Sequence, residues 1–178
     1  MQKVAGAIAI WVGLTAVLAS ASAAEQRGGS EADYAEIRHF HERSIAKYNA
    51  GDIAGAIDDY LPQLRALQLK SVRIKSRDDL AADMQKSFAS NAPKIVADIE
   101  EMEVNGHGVG AWAYIICRYA FVAMPKDKSK PASEIADGRY TALLKKTATG
   151  WKVLLDIDNG APGAAPDLIE RIRAEGAP

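Results

Sequence analysis

The sequence predicts an α+β domain, in which three helices come first and a strongly curved antiparallel sheet follows. Between residues 31 and 90, apolar side chains recur at spacings of three and four, as expected for amphipathic helices. After residue 93, apolar residues alternate with polar ones or run continuously between turn signals, as expected for strands. Helices followed by strands favour an α+β fold over a doubly wound parallel sheet. A curved sheet packed on helices leaves a pocket between the two layers.

The first 23 residues have the three parts of a secretory signal peptide. Lys3 gives a positive start, an uncharged apolar stretch follows, and Ala21 and Ala23 form an A-x-A cleavage pattern. The apolar stretch is shorter than the roughly 20 residues of a membrane-spanning helix, which favours cleavage over a retained anchor. We therefore expect a periplasmic or secreted protein without a membrane span in the mature chain. Residues 24–32 are polar and glycine-rich, and they predict a flexible lead-in.

Residues 33–162 have the length of one domain, and the composition excludes several classes of partner. The formal net charge of −1 provides no basic excess for nucleic acid or an anionic membrane. Cys117 is the only cysteine in the sequence, and its apolar neighbours predict a buried side chain rather than a reactive thiol. No histidine pair has metal-site spacing and no phosphate-binding loop occurs, so we expect neither a metal nor another cofactor.

The three predicted helices each begin at a residue that caps helix N-termini: Ser30, Asp52 and Ser76. Gly51 ends the first helix, and Pro62 ends the second, short one. Asp79 completes a capping box at the start of the third. Between the second and third helices, residues 65–75 alternate imperfectly and predict a short strand or hairpin arm.

Four strands are predicted in the second half, and turn signals between them indicate a meander. The long strand within residues 108–124 is apolar on both faces, as in the centre of a sheet, so alternation leaves open which face lines the pocket. Two further strands within residues 138–158 are joined by a Thr-Gly turn. Residues 163–178 predict a short helix that begins near Pro166, followed by a tail.

A likeness to a known superfamily covers residues 33–162, and three segments carry it: YNAGDIAGAIDDY, SRDDLAADMQKSF and GRYTALLKKTATGWKVLLDIDN. They resemble the nuclear-transport-factor-two / ketosteroid-isomerase-like superfamily, in its SnoaL-like branch. A final strand of this family is matched in order by Trp151, Lys152, Val153, Asp156 and Asn159. The resemblance implies a cystatin-like cone, a hydrophobic small-molecule ligand and a homodimer. Because the superfamily includes both enzymes and pocketed proteins without shown activity, it leaves open whether this protein is an enzyme.

His41 is the predicted acid or base. It lies one turn from Ile37 on the inner face of the first helix, a face that points towards the pocket in the resembling fold. Histidine titrates near neutral pH, so it is suited to proton transfer. The alternative is a structural histidine at the edge of the core, hydrogen-bonded to a backbone carbonyl.

The predicted ligand-binding residues are Tyr48, Tyr114, Arg118, Asp156 and Asn159. Arg118 is either a ligand anchor or the partner of a glutamate at a dimer face, because a charge on a central strand needs a partner. Strict alternation places Asn159 on the core face of the last strand and Asp156 on the opposite face, unless a bulge changes the register. Asp156 is nevertheless included because the family resemblance repeats it.

Two functions are compatible with the sequence. The first is an exported binding protein or enzyme of the SnoaL-like type, with an apolar pocket for a hydrophobic organic molecule and an unspecified reaction. The second is a non-catalytic envelope module that binds a partner, or a second copy of itself, through its sheet face. The second apolar face of the long strand motivates this alternative, because a lone sheet would leave it exposed.

Overall fold

In the computed structural model, residues 28–68, 71–127, 129–130 and 134–174 are described. The helices are α1 (Glu31–Asn49), α2 (Ile53–Asp58), α3 (Arg77–Ser90) and α4 (Pro166–Ala174); the strands are β1 (Tyr60–Leu67), β2 (Asn91–Asn105), β3 (Trp112–Pro125), β4 (Glu134–Thr147) and β5 (Gly150–Gly160). Within these described ranges, no helix is long and apolar enough to span a membrane. The predicted signal peptide, residues 1–23, lies outside the described residues and stays a prediction.

The predicted helix starts are confirmed by their caps. At α1, the Asp33 N–H donates to Ser30 Oγ at 3.2 Å, and the Ser30 N–H donates to Asp33 Oδ2 at 3.0 Å. α3 begins with the same reciprocal bonds between Ser76 and Asp79. α2 is shorter than predicted, because the chain joins the sheet at Tyr60. Pro62 therefore lies in β1 at the edge of the sheet, where a residue without an N–H is tolerated.

The sheet has five strands in the order β1-β5-β4-β3-β2. The predicted meander is confirmed, since β2 to β5 pair with their sequence neighbours in antiparallel fashion. β1 adds a fifth strand that pairs with β5 in parallel fashion. This pairing brings the segment after α2 beside the last strand, so both contribute to the same part of the sheet.

Apolar residues pack on both faces of the sheet, fully on the inner face and at one end of the outer face, which accounts for the apolar character of β3 on both sides. The inner face, which includes Ile115 and Cys117, packs against α1 in the main core. On the outer face, Leu168 and Ile172 of α4 pack on a second cluster that contains Val122. The sequence predicted a short helix near Pro166, but it assigned all of the cover to the early helices and placed residues 163–178 outside the domain. α4 is instead part of the folded domain.

A β-bulge in β5 decides which side chains of this strand face inwards. Val153 pairs with Leu144, whereas Leu155 pairs with Leu143, so Leu154 is an extra residue on β5. Before the bulge, Val153 lies on the inner face. After it, the even-numbered residues turn inwards. Strict alternation is therefore wrong for the end of β5, because it assigned the odd-numbered residues to the core.

Candidate functional site

A cavity of about 340 Å³ lies between the inner face of the sheet and α1, α2 and α3. This volume falls in the range of small-molecule sites, roughly 300–1,000 Å³. Its wall is mostly apolar and aromatic and includes Phe40, Ile45, Leu80, Ile95, Phe121 and Leu144. A small number of polar groups converge on this apolar surface, which is the usual composition of a ligand site.

His41 lies in the cavity wall, as predicted, and it is only 7% exposed. Its Nε2 atom is 2.7 Å from Tyr140 Oη and 3.6 Å from Cys117 Sγ. The Nε2 partner is thus a side-chain hydroxyl, where the structural alternative expected a backbone carbonyl. Burial lowers the pKa of His41 below its ordinary value of 6.5, because it disfavours the charged ring.

The neutral His41 ring can prepare Tyr140 as a hydrogen-bond donor. With the proton on Nε2, His41 donates to Tyr140 Oη, and the hydroxyl hydrogen of Tyr140 can then be donated either to Cys117 Sγ or to an acceptor in the cavity. Burial holds the pKa of Tyr140 well above 10, so this hydroxyl stays protonated. The pair therefore supplies a neutral donor at the cavity wall.

Two aspartates of β5, Asp156 and Asp158, also line the cavity. They occupy the inner face, where Asp156 lies opposite Ala142 and Asp158 lies opposite Tyr140. Tyr119 Oη donates to Asp158 Oδ1 at 2.7 Å. Among the described residues, no hydrogen bond or ion pair to the Asp156 carboxyl is found.

The Asp156 carboxyl is withdrawn from bulk solvent, and its accessible surface faces the cavity. This burial raises its pKa from 3.8 to about 7, and the negative charge of Asp158 contributes to the same shift. A carboxyl with such a pKa exchanges its proton near neutral pH. Chemically, it can act as a base or as an acid towards a molecule in the cavity.

Two other carboxylates of the wall, Asp59 and Asp83, have cationic partners. Asp59 accepts from Lys47 Nζ at 2.8 Å and from Ser44 Oγ at 2.6 Å. Asp83 pairs with Lys75. These contacts give Asp59 and Asp83 structural roles, which distinguishes them from Asp156. In the described part of the chain, no group of three or more His, Cys, Asp or Glu side chains is placed to hold a metal ion.

The structure brings three of the six predicted site residues to the cavity: His41, Tyr48 and Asp156. Tyr48 packs edge-on against Phe88, with ring centroids 5.3 Å apart. For Asp156, the family resemblance was the better guide, because the bulge reverses the face that alternation assigned.

The positions predicted for the other three residues are corrected. Tyr114 lies on the outer face, where its hydroxyl donates to Glu101 Oε1 at 2.5 Å. Arg118, also on the outer face, donates to Asp98 Oδ2 at 3.2 Å and to Asp167 Oδ1 at 3.0 Å. The arginine thus pairs with aspartates of its own chain and ties α4 to the sheet. Asn159 is exposed on the outer face, because the bulge precedes it.

Sequence reasoning missed Asp158, Tyr119 and Tyr140 as cavity residues. Alternation places Tyr119 on the same face of β3 as Ile115 and Cys117. Because β3 is apolar on both faces, the sequence did not show which of the two faces lines the cavity. Tyr140 lies directly opposite Cys117 on the neighbouring strand. This cross-strand register was the missing information, and a single sequence does not contain it.

No protein-family model matches this sequence, and no curated protein matches it. Solved structures do. A domain of unknown function with a cystatin-like fold from Nostoc punctiforme superposes with a TM-score of 0.58 at 16% identity, over 83% of this chain and 90% of that one. An NTF-2 like protein of unknown function from Shewanella oneidensis superposes with a TM-score of 0.54 at 17% identity, over 70% of this chain and 96% of that one.

A ketosteroid isomerase-like protein from Erwinia carotovora gives a TM-score of 0.59 at 19% identity, over 75% of this chain and 100% of that one. All three identities are low, so these likenesses concern the fold. The predicted cone-shaped α+β architecture is confirmed. The chain has the fold of the nuclear-transport-factor-two / ketosteroid-isomerase-like superfamily.

Proposed function

We propose that this protein binds a small, mainly apolar organic molecule in the cavity and moves a proton on it with Asp156. The observation that carries the proposal is a carboxyl with a pKa of about 7, placed in an apolar cavity without a described hydrogen-bond partner. One structural neighbour is a ketosteroid isomerase-like protein, which supports proton-transfer chemistry in this fold. We also propose that the protein belongs to the SnoaL-like branch, which the resemblance in the sequence implies.

The arrangement suits removal of a proton next to a carbonyl group. Ionised Asp156 takes the proton from carbon, the electrons of the broken C–H bond form a C=C bond, and the π electrons of the C=O bond move to the oxygen. The Tyr140 hydroxyl, held by His41, donates to that oxygen as its negative charge develops. Asp156 and Tyr140 lie on the same face of adjacent strands, two residues apart in register, which is within reach of one small molecule.

Deuterium incorporation into 2-tetralone, a bicyclic ketone with acidic C–H bonds, tests this function. In D₂O near neutral pD, the wild-type protein should accelerate exchange above the buffer rate, as measured by mass spectrometry. Asp156→Asn should lose at least about 100-fold of that acceleration, because general-base catalysis contributes this much or more. Tyr140→Phe should reduce it to a smaller extent.

The matched control is Asp52→Asn. This exposed aspartate caps α2, and asparagine is an equally good cap, so exchange should stay at the wild-type rate. Equal acceleration by wild type and Asp156→Asn would contradict the assigned role of the carboxyl.

A second candidate function uses the outer face, and one observation favours it. α4 covers only the end of this face beyond Arg118, whereas Trp112 and Ile157 are 45% and 36% exposed on the remainder. Partly buried Ile116 and Leu143 lie between them. We propose that a second copy of the chain covers this apolar patch, which fits the homodimer implied by the family resemblance.

Light scattering after size exclusion tests the dimer. Wild type should have twice the mass of one chain at micromolar concentration. Ile157→Lys should be monomeric, because it places a charge in the buried patch. Val109→Lys changes an equally apolar residue that is 72% exposed in the β2–β3 connection, and it should leave the dimer intact. A monomeric wild type would rule out this assembly.

A further inference from the structure

The charge of the cavity wall is one-sided. Four aspartates and no lysine or arginine are found among the described residues that line it. Two of these aspartates are compensated from behind the wall, since Lys47 pairs with Asp59 and Lys75 pairs with Asp83. Asp156 differs, because neither a cation nor a hydrogen-bond donor reaches it from the described part of the chain.

Aromatic rings surround the same region of the cavity. Tyr60, Tyr119 and Tyr140 all line it, and the rings of Tyr119 and Tyr140 are 6.1 Å apart at an angle of 52°. Burial raises the pKa of all three tyrosines, and the charge of Asp156 adds to each shift. On the two strands that flank β5, Tyr140 lies opposite Asp158 and Tyr60 lies opposite Val153. Aromatic faces attract organic cations, and a desolvated site strengthens this attraction.

A carboxylate among tyrosine rings is a site for a positive group. We propose that the ligand of this cavity carries a cationic nitrogen, as a protonated or quaternary amine on an apolar body, and that this nitrogen binds beside Asp156. The inference rests on the proposed function and adds the chemical class of the molecule. A ligand carboxylate would instead be repelled, because it would meet Asp156 and Asp158 in a region of low dielectric.

A bound cation would also serve the proposed chemistry. Without a ligand, the pKa of Asp156 is about 7, so the carboxyl is only partly ionised at neutral pH. A positive charge nearby favours the ionised form. Binding of the amine would thus keep Asp156 in the state that accepts a proton.

Three compounds with one skeleton test the proposal: 2-aminotetralin, 2-tetralol and tetralin-2-carboxylic acid. Their affinities are measured by calorimetry at pH 8, where the amine is protonated and the acid is ionised. We expect the amine to bind at least about tenfold more tightly than the alcohol, a difference that corresponds to 1.4 kcal/mol. The acid should bind most weakly.

The Asp156→Asn protein separates charge recognition from cavity shape. It should lose at least about tenfold in affinity for the amine, while the alcohol should bind within about threefold of its wild-type affinity. Asp52→Asn, the exposed control, should change neither affinity. An equal loss of affinity for all three compounds in Asp156→Asn would overturn the proposal, since it would show that the substitution damages the cavity and does not remove a specific charge contact.

The two proposals fail in different ways. If the acid or the alcohol binds wild type as tightly as the amine, the cationic ligand is excluded, whereas binding in the cavity is upheld. Tighter binding of the alcohol would assign Asp156 as a neutral hydrogen-bond donor. If the wild type binds none of the three compounds, both the cationic ligand and the proposed small-molecule function are contradicted.

Discussion

At pH 8, the Asp156→Asn protein should have a free energy of unfolding about 1–3 kcal/mol above that of the wild type. In the folded protein, burial raises the pKa of Asp156 from 3.8 to about 7, so ionisation at pH 8 opposes folding. A shift of this size corresponds to about 4 kcal/mol at most. The expected gain is smaller, because the cavity leaves room for hydration and the asparagine amide also loses water on burial.

The pH dependence of this difference identifies its cause. Below pH 3.8, Asp156 is mostly protonated in both the folded and the unfolded chain, so the two proteins should differ little there and only slightly at pH 4. Between pH 4 and pH 7, the folded wild type holds a proton that the unfolded chain releases, and wild-type stability falls relative to the variant as pH rises. Above pH 7 the difference should be constant.

Urea unfolding at pH 4, 6 and 8 measures this difference. His41 has a lowered pKa, so its contribution to stability is lost as pH falls below 6.5; both proteins contain it, and it cancels in the comparison. Asp52→Asn should match the wild type at every pH, because Asp52 is exposed. A stability difference that is the same at pH 4 and pH 8 would show that Asp156 is not a buried, uncompensated carboxyl.

Leu168→Ala should lower the free energy of unfolding by about 2–4 kcal/mol, even though the sequence placed Leu168 outside the domain, in a short C-terminal helix. The Leu168 side chain is 1% exposed and packs with Ile172 on Ala120 and Val122. Its removal would leave a cavity under α4, which is already held to the sheet by Arg118 and by the Asp137 carboxylate.

Leu67→Ala is the matched control, since the same chemical change at a leucine that is 42% exposed should cost less than about 0.5 kcal/mol. Both proteins are compared by urea unfolding at one pH. Leu168→Ala should bind 2-tetralol as the wild type does, because α4 lies on the face opposite the cavity. If Leu168→Ala and Leu67→Ala have the same stability, α4 does not form part of the folded domain.

The helices and the meander were predictable because their signals are local. Ser30, Asp52 and Ser76 are capping residues, and the structure confirms each as a helix start. The pairing of β1 with β5 was not predictable, because it depends on contacts between distant segments. Two parallel strands are also not joined by a tight turn, so the sequence contains no turn signal for this pairing.

The candidate site was predicted only in part, and the sequence around Leu154 shows why. Two leucines in succession allow either of them to leave the regular ladder, since both fit a half-buried strand. The alternation rule assumes that every residue of a strand belongs to the regular ladder, so it does not identify the extra residue of a bulge. Asn159 was therefore placed in the cavity, and Asp158 was placed outside it, in a stretch where one bulge exchanges the two faces.

Because β1 and β5 are far apart along the chain, we expect their parallel pairing, and with it the cavity, to form late in folding. Tyr60 of β1 and Asp156 of β5 lie on the same wall, although most of the domain separates them along the chain. Contacts of such high sequence separation carry a large loop-closure cost and form slowly. While the chain is being synthesised, α1, α2 and β1 exist without the strand that completes the binding wall. A ligand can therefore stabilise only the finished domain, and its affinity gives no help to the early stages of folding.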